Sequence, residues 1–139
     1  MSNEEVFLTR RLSFCSAHRL YNDKLSEEEN WKIFDKCSHK NGHGHNYELY
    51  VTLKGKVDPD TGMIMNVNEI CDIVEELVID DMDHRHLNFD VEEFQTLLPS
   101  IENLVIVIWR RLKKNDKLGP LLYEIKVQET ENNIAFYRG

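Results

Sequence analysis

The 139-residue sequence has no long apolar run, an opening without the pattern of an export signal, few cysteines and a deficit of positive charge, and each lack argues against a class of function. Without about 18 consecutive apolar residues nothing in the chain can cross a bilayer as a helix. The opening Met1-Ser2-Asn3-Glu4-Glu5 lacks the basic and apolar regions of a secretion signal, so the expected location is the cytoplasm. Three cysteines at irregular spacing argue for free thiols and against a disulfide framework. Seventeen Lys and Arg against 25 Asp and Glu give a net charge of -8. That balance disfavours a general nucleic-acid binder, which needs a basic face, and requires any anionic substrate to meet a local basic patch. What remains is a chain of about the length of one domain, 41% hydrophobic and able to bury a core.

The most informative stretch is Cys37-Ser38-His39-Lys40-Asn41-Gly42-His43-Gly44-His45-Asn46-Tyr47. From Asn46 onward apolar Tyr47, Leu49, Val51 and Leu53 alternate with polar Asn46, Glu48, Thr52 and Lys54, the period of a half-buried strand. Carried backwards, the same parity puts His43 and His45 on the core-facing side, where two neutral imidazoles can converge on one divalent ion. A second strand, Val6 to His18, carries Leu8, Leu12, Phe14, Ser16 and His18 on one parity, so its end offers a candidate third ligand. Three histidines with one open position is the arrangement of a catalytic zinc site, whereas structural zinc is normally closed by four protein ligands. Taken singly, each histidine reads more readily as an ordinary polar or satisfied core side chain. The conjunction carries the inference.

The rest of the chain supplies the scaffold. Tyr21 to Lys36 is an excursion from the sheet, in which Ser26-Glu27-Glu28-Glu29 opens a short helix with a capping box. Asp58-Pro59-Asp60-Thr61-Gly62 is a turn, from which the strand through Val57 is expected to return as Met63-Ile64-Met65 in a hairpin. Asn66 caps a helix, Glu69 completes an Asn-x-x-Glu box, and Val67, Ile70, Cys71, Val74, Leu77 and Val78 form its apolar stripe. Ser100 caps a second helix with the stripe Ile101, Leu104, Val105, Ile108 and Leu112. Arg110, Arg111, Lys113 and Lys114 lie near its negative end, and Gly119-Pro120 ends it. Leu121, Tyr123, Ile125 and Val127 alternate as a strand, and Glu131-Asn132-Asn133 turns into a short strand from Ile134 to Tyr137. Glu129 keeps the parity of the apolar face, where a carboxylate needs a partner, and is therefore a candidate ligand anchor. In the loop Asp81 to Asn88 an Asp beside a His can orient it. Cys37 is the candidate reactive thiol, and thiolate chemistry there needs nearby cations or a metal.

Taken together, these segments closely resemble the 6-pyruvoyl tetrahydropterin synthase family. The residues that carry the resemblance run along nearly the whole chain: Arg11-Leu12-Ser13-Phe14, Ala17-His18-Arg19-Leu20-Tyr21, Cys37 with Asn41 to Tyr47, Asp58-Pro59 with Thr61-Gly62-Met63, Asp83-His84, Glu102-Asn103, and Glu129-Thr130 with Asn132-Asn133. The resemblance implies one α+β domain over 1–139 with the tunnelling fold, a four-stranded antiparallel sheet with two helices on one face in the order β-β-α-α-β-β. Such chains assemble around a barrel into trimers and then a homohexamer. It further implies His18, His43 and His45 as Zn2+ ligands, and a catalytic set of Cys37, Asp83 and His84, the last two lent by a neighbouring subunit. Glu129 would hold the pterin, with Glu102 and Arg19 as further substrate contacts. The implied reaction is conversion of 7,8-dihydroneopterin triphosphate to 6-pyruvoyl tetrahydropterin with loss of triphosphate, a step of tetrahydrobiopterin biosynthesis. Two alternatives share parts of this set: a 6-carboxy-tetrahydropterin synthase acting on the same substrate, and a non-catalytic pterin-binding protein, which would not need Cys37, Asp83 and His84 together. Cys15-Ser16-Ala17 and Ser38-His39-Lys40 depart from the commonest form of the family's motifs, and His39 and His86 are additional imidazoles.

Overall fold

In the computed structural model, which describes residues 3–139 and so leaves Met1 and Ser2 of the opening stretch aside, two 14-residue strands form the spine. β1 (Glu5–His18) and β2 (His43–Lys56) pair antiparallel without interruption, with Glu5 opposite Lys56 at one end and His18 opposite His43 at the other. Their alternation is the expected one: Phe14, Ser16 and His18 of β1 and Tyr47, Leu49, Val51 and Leu53 of β2 are buried. β4 (Leu122–Gln128) takes the other edge of β2, and β5 (Ile134–Tyr137) folds back on it through a turn in which Glu129 N–H donates to the Asn133 carbonyl. The four expected strands are present. A two-residue β3 (Arg85–His86) adds a short parallel pairing to β1, so the open sheet has five strands in the order β3-β1-β2-β4-β5.

Two features of the strands differ from expectation. The turn after Val57 forms, with Gly62 N–H on the Asp58 carbonyl at 2.8 Å, Asp58 N–H on the Met63 carbonyl at 2.9 Å and Gly62 at φ 73. Residues 63–65 nevertheless make no strand, because β1 and β4 already occupy both edges of β2 and leave no ladder to join. In β4, Thr52 pairs with Glu124 while Leu53 pairs with Leu122, so Tyr123 is an extra residue. The bulge moves the apolar parity by one: Leu122, Ile125 and Val127 are buried, whereas Leu121 and Tyr123 are only half-buried.

The helices cover the buried face. α1 (Glu27–Phe34) starts with the expected reciprocal box, Glu29 N–H to Ser26 Oγ at 3.1 Å and Ser26 N–H to Glu29 Oε1 at 3.3 Å, and runs into a 3-10 turn, Asp35–Ser38, that carries Cys37. α2 (Val67–Val74), a π turn (Glu75–Ile79) and α3 (Asp80–Met82) make one helical run. Its buried residues Ile70, Val74, Val78 and Met82 are spaced by four. On a pure α-helix that spacing drifts about 40° per step, and the wider π turn winds part of the drift back. Asn66 caps this run through Asn68 N–H at 2.9 Å, but the expected box is absent: Glu69 reaches out to Lys117 Nζ at 2.7 Å, a charged partner it prefers to a backbone N–H. Val67, in the first turn, is exposed. A short α4 (Leu87–Asp90) precedes α5 (Ile101–Lys113), where Ser100 Oγ caps Asn103 N–H at 3.2 Å and Leu104, Val105, Val107, Ile108 and Leu112 are buried. α5 ends before Gly119, which packs against the Lys113 carbonyl so closely that a Cβ there would stand 2.3 Å from it. Sheet face and helices share one buried cluster.

The excursion between β1 and β2 is held by a side chain rather than by a core. Buried Asn30 accepts from Asn22 N–H at 2.7 Å and donates to the carbonyls of Asn22, Leu25 and Ser26 at 3.0, 3.3 and 2.9 Å. Asn30→Ala removes the partner of Asn22 N–H and of the Leu25 carbonyl, while the Asn22 and Ser26 carbonyls keep their backbone donors, Leu25 N–H and Asn30 N–H, and is expected to lower the unfolding free energy by about 2 kcal/mol in urea titrations. An unchanged midpoint would show that the excursion does not depend on this side chain.

Candidate metal centre and active site

The β1–β2 register builds the centre. His18 and His43 are directly opposed and His45 is opposite Ser16, so all three imidazoles project from the same face at the same end of the ladder. Their candidate ligand atoms lie within 4.8 Å of one another. His18 Nε2 and His43 Nε2 are 3.3 Å apart. His18 Nδ1 sits 2.7 Å from the Pro99 carbonyl, an acceptor, so the ring proton belongs on Nδ1 and the Nε2 lone pair faces the cluster. Burial drives the His18 pKa down to about 4, with the Pro99 bond opposing and His43 and His45 adding to the shift. Burial also lowers His45, against the opposing pull of Glu129. His45 Nε2 is buried with no hydrogen-bond partner among the described residues. Three converging imidazoles, two of them held neutral by burial and one with an orphaned buried nitrogen, are a donor set that fits a divalent ion of nitrogen preference.

Glu129 closes the far side. Continuing the β2–β4 register one residue beyond Glu48 opposite Gln128 sets it across from Tyr47. Its two oxygens are each 3.9 Å from a nitrogen, His18 Nε2 and His45 Nε2. With both rings neutral these are close approaches of a carboxylate to imidazole nitrogens, not ion pairs. The Tyr47 ring stacks on Phe14 with centroids 5.0 Å apart, and its hydroxyl is buried without a partner and held well above the usual phenol range, chiefly by burial. Tyr47 had been legible only as an apolar strand residue; the signal was a hydroxyl on an inward position two residues from His45. Gly42 shapes the approach to β2: its φ is 74, and a Cβ there would stand 2.5 Å from the His18 carbonyl oxygen.

Cys37 is pinned by its backbone and that of its neighbour. Leu20 N–H donates to the Cys37 carbonyl at 2.9 Å, and Arg19 Nε donates to the Ser38 carbonyl at 2.9 Å. Its thiol is pushed up by burial, then by the negative charges of Glu129 and Asp35. Asp83 and His84 form a separate pair on the other side of β1. Asp83 Oδ2 lies 2.9 Å from His84 Nδ1, Asp83 Oδ1 accepts Cys15 N–H at 2.8 Å, and His84 N–H donates to the Cys15 carbonyl at 2.6 Å. The Cys15 N–H, with help from His84, holds the Asp83 carboxyl below its usual range. His84 adopts φ 59 and its side chain is 82% exposed. Within one chain, then, the three histidines and Glu129 come together, Cys37 lies within electrostatic reach of Glu129, and the Asp83–His84 pair faces outward. Arg19 stacks on Tyr21 at 3.9 Å and lines a cavity of about 520 Å3 together with Lys24, Asn88 and Thr96. Glu102 is exposed in the first turn of α5, three residues after Pro99. The two extra imidazoles stand outside the cluster, His39 against Trp31 and His86 against Phe89.

A family model described as 6-pyruvoyl tetrahydropterin synthase matches residues 7–139. The chain belongs to the 6-pyruvoyl tetrahydropterin synthase family. Its relatives include the 6-pyruvoyl tetrahydrobiopterin synthase of Dictyostelium discoideum, 52% identical over 134 residues that span 96% of each chain. The protein of the same name from Homo sapiens is 46% identical over 132 residues, 95% of this chain and 90% of the human one. The solved structure of Caenorhabditis elegans 6-pyruvoyl tetrahydropterin synthase superposes with a TM-score of 0.93 at 41% identity, covering 98% of this chain and 96% of that one. The α+β sheet-and-helix architecture is thus that of the 6-pyruvoyl tetrahydropterin synthases, and this member is an enzyme of that family.

The His18 shift sets a pH dependence. Its pKa is about 4 in the fold against 6.5 unfolded, so between those values the unfolded chain binds the extra proton and stability falls as pH is lowered. The contribution is fully present above pH 6.5 and lost by about pH 4. Urea unfolding of metal-free protein at pH 7 and pH 4 should show the parent losing about 3 kcal/mol more than His18→Gln. Equal losses in the two proteins would mean His18 is not held neutral by the fold.

Proposed function

We propose that this enzyme binds zinc through His18, His43 and His45 and converts 7,8-dihydroneopterin triphosphate to 6-pyruvoyl tetrahydropterin with release of triphosphate, within tetrahydrobiopterin biosynthesis. The observation that carries the reading is the convergence of three imidazoles and the Glu129 carboxylate in one space, with a thiol close enough to feel that carboxylate. Zinc bound there would act as a Lewis acid toward side-chain oxygens of the substrate and so acidify the neighbouring C–H bonds. Glu129 would hold the aminopyrimidine edge of the pterin through paired, charge-assisted hydrogen bonds. Arg19, which follows His18 in the chain and lines the cavity with Lys24, Asn88 and Thr96, and Glu102 are assigned as further substrate contacts.

Cys37 is the proposed base. In the free protein its thiol stays protonated, because burial and the charge of Glu129 oppose the thiolate. A pterin hydrogen-bonded to Glu129 would spread part of one of the two negative charges acting on the thiol, which favours deprotonation and offsets some of the burial that holds the proton on. The Asp83–His84 pair would complete the proton relay from a neighbouring subunit, a role suited to its outward presentation. Assembly is part of the same reading. The sheet is open and its β5 edge exposes Ile134 and Phe136, the kind of edge that strand pairing between subunits covers in a trimer, with two trimers making the hexamer. Three free thiols suit a reducing, cytoplasmic setting, and among the described residues no helix is long and apolar enough to cross a membrane.

Incubation with 7,8-dihydroneopterin triphosphate should yield the 6-pyruvoyl product and free triphosphate, and Cys37→Ala should lower turnover about 10²-fold to 10⁴-fold while zinc content and substrate affinity stay at parent values. A 6-carboxy product would move the enzyme to the neighbouring activity. Loss of zinc together with turnover in Cys37→Ala would make the thiol a ligand instead of a base.

A further inference from the structure

Arg111 is a junction. From α5 its Nε and Nη2 hold the two oxygens of Glu93 at 2.7 and 2.6 Å, Nη2 also meets Asp81 Oδ2 at 2.8 Å, and Nη1 donates to the Leu77 carbonyl at 3.0 Å. The side chain is only 17% exposed. One guanidinium thereby ties α5 to a carbonyl inside the π turn, to a carboxylate of α3 and to the turn Glu92–Gln95. Two of those three points lie on the helical run that ends at Met82, capped by Asp83, whose N–H donates to the Ile79 carbonyl at 2.8 Å.

The direction of the Asp83–His84 pair depends on how that run ends. Asp83 turns from helical to extended backbone in a single residue, at φ -68 and ψ 130, and its carboxylate at once takes Cys15 N–H. A π turn rotates everything that follows it relative to an α-helix of the same length, so whatever holds the π turn also sets where Asp83 points. A planar fork with five donors can grip a carbonyl and two carboxylates together; a lysine ammonium cannot reproduce that pattern. We propose that Arg111 is a positioning residue for the Asp83–His84 pair: by clamping the π turn and Asp81 it fixes the angle and reach with which the pair is presented at the end of α3. This rests on the assignment of that pair to the reaction made above.

The test measures kcat, KM, the pH–kcat profile and bound zinc for Arg111→Ala, Arg111→Lys, Asp81→Asn, Asp83→Asn and the double variant R111A/D83N. Arg111→Ala is expected to lower kcat about tenfold and Asp81→Asn by less, with KM and zinc at parent values. The pH–kcat profile should change shape in both, Arg111→Lys should recover little, and R111A should cost nothing further in the D83N background. Equal losses from R111A in both backgrounds, or full repair by lysine with an unaltered pH profile, would make Arg111 a general stabiliser and overturn the proposal. Should Arg111→Ala not fold, Asp81→Asn decides, since it leaves the Glu93 and Leu77 contacts in place: lowered kcat with an altered profile supports the clamp, and parent-level turnover overturns it. Asp83→Asn at parent turnover overturns the catalytic assignment of the pair itself, whereas an inactive Asp83→Asn beside a fully active Arg111→Ala overturns only the role of Arg111.

Discussion

The uninterrupted pairing of β1 with β2 is the constraint on which the site depends. It carries the core residues Phe14, Tyr47, Leu49, Val51 and Leu53 and the three histidines on one face of one ladder. A slip of one residue would turn the slipped strand's whole set to the opposite face, exposing its apolar side chains and dispersing the imidazoles together. Hydrophobic burial along the strands therefore enforces the geometry of the polar centre at their end. The centre lies where the sheet can accept a ligand, beyond the last apolar pairs, with Glu129 brought in by β4.

The chemistry follows from the low polarity of that end. Desolvation keeps His18 and His45 neutral, which is the protonation state a metal ligand needs, and the Pro99 carbonyl at the start of α5 selects which His18 nitrogen faces inward. Glu129 works on three neighbours: it opposes the loss of charge at His45 and raises the pKa values of both Cys37 and Tyr47. In a chain of net charge -8, one carboxylate thus acts on three groups that burial holds neutral. On the proposed reading, a substrate held by Glu129 would redistribute those effects.

Parity made much of this legible in the sequence. The placement of His18, His43, His45 and Glu129 on the core face needed only the period of two, and the caps at Ser26 and Ser100 needed only local hydrogen-bond chemistry. What local pattern did not reveal was competition between distant groups. Glu69 left its box because Lys117 came within reach, residues 63–65 stayed out of the sheet because β1 and β4 held both edges of β2, and the parity before Ile125 shifted because Tyr123 bulged out. Pro99 as the partner of His18, and the clamp of Leu20 and Arg19 on the Cys37 turn, are contacts between segments for which no spacing rule exists.

The central claim is that the end of the β1–β2 ladder is a three-imidazole metal centre with the thiol outside it. X-ray absorption at the zinc edge, on protein loaded with one equivalent, reads this directly. The expected coordination is three imidazole nitrogens at about 2.0–2.1 Å with one further light atom and no sulfur. A sulfur at about 2.3 Å, or fewer than three imidazoles, would contradict it.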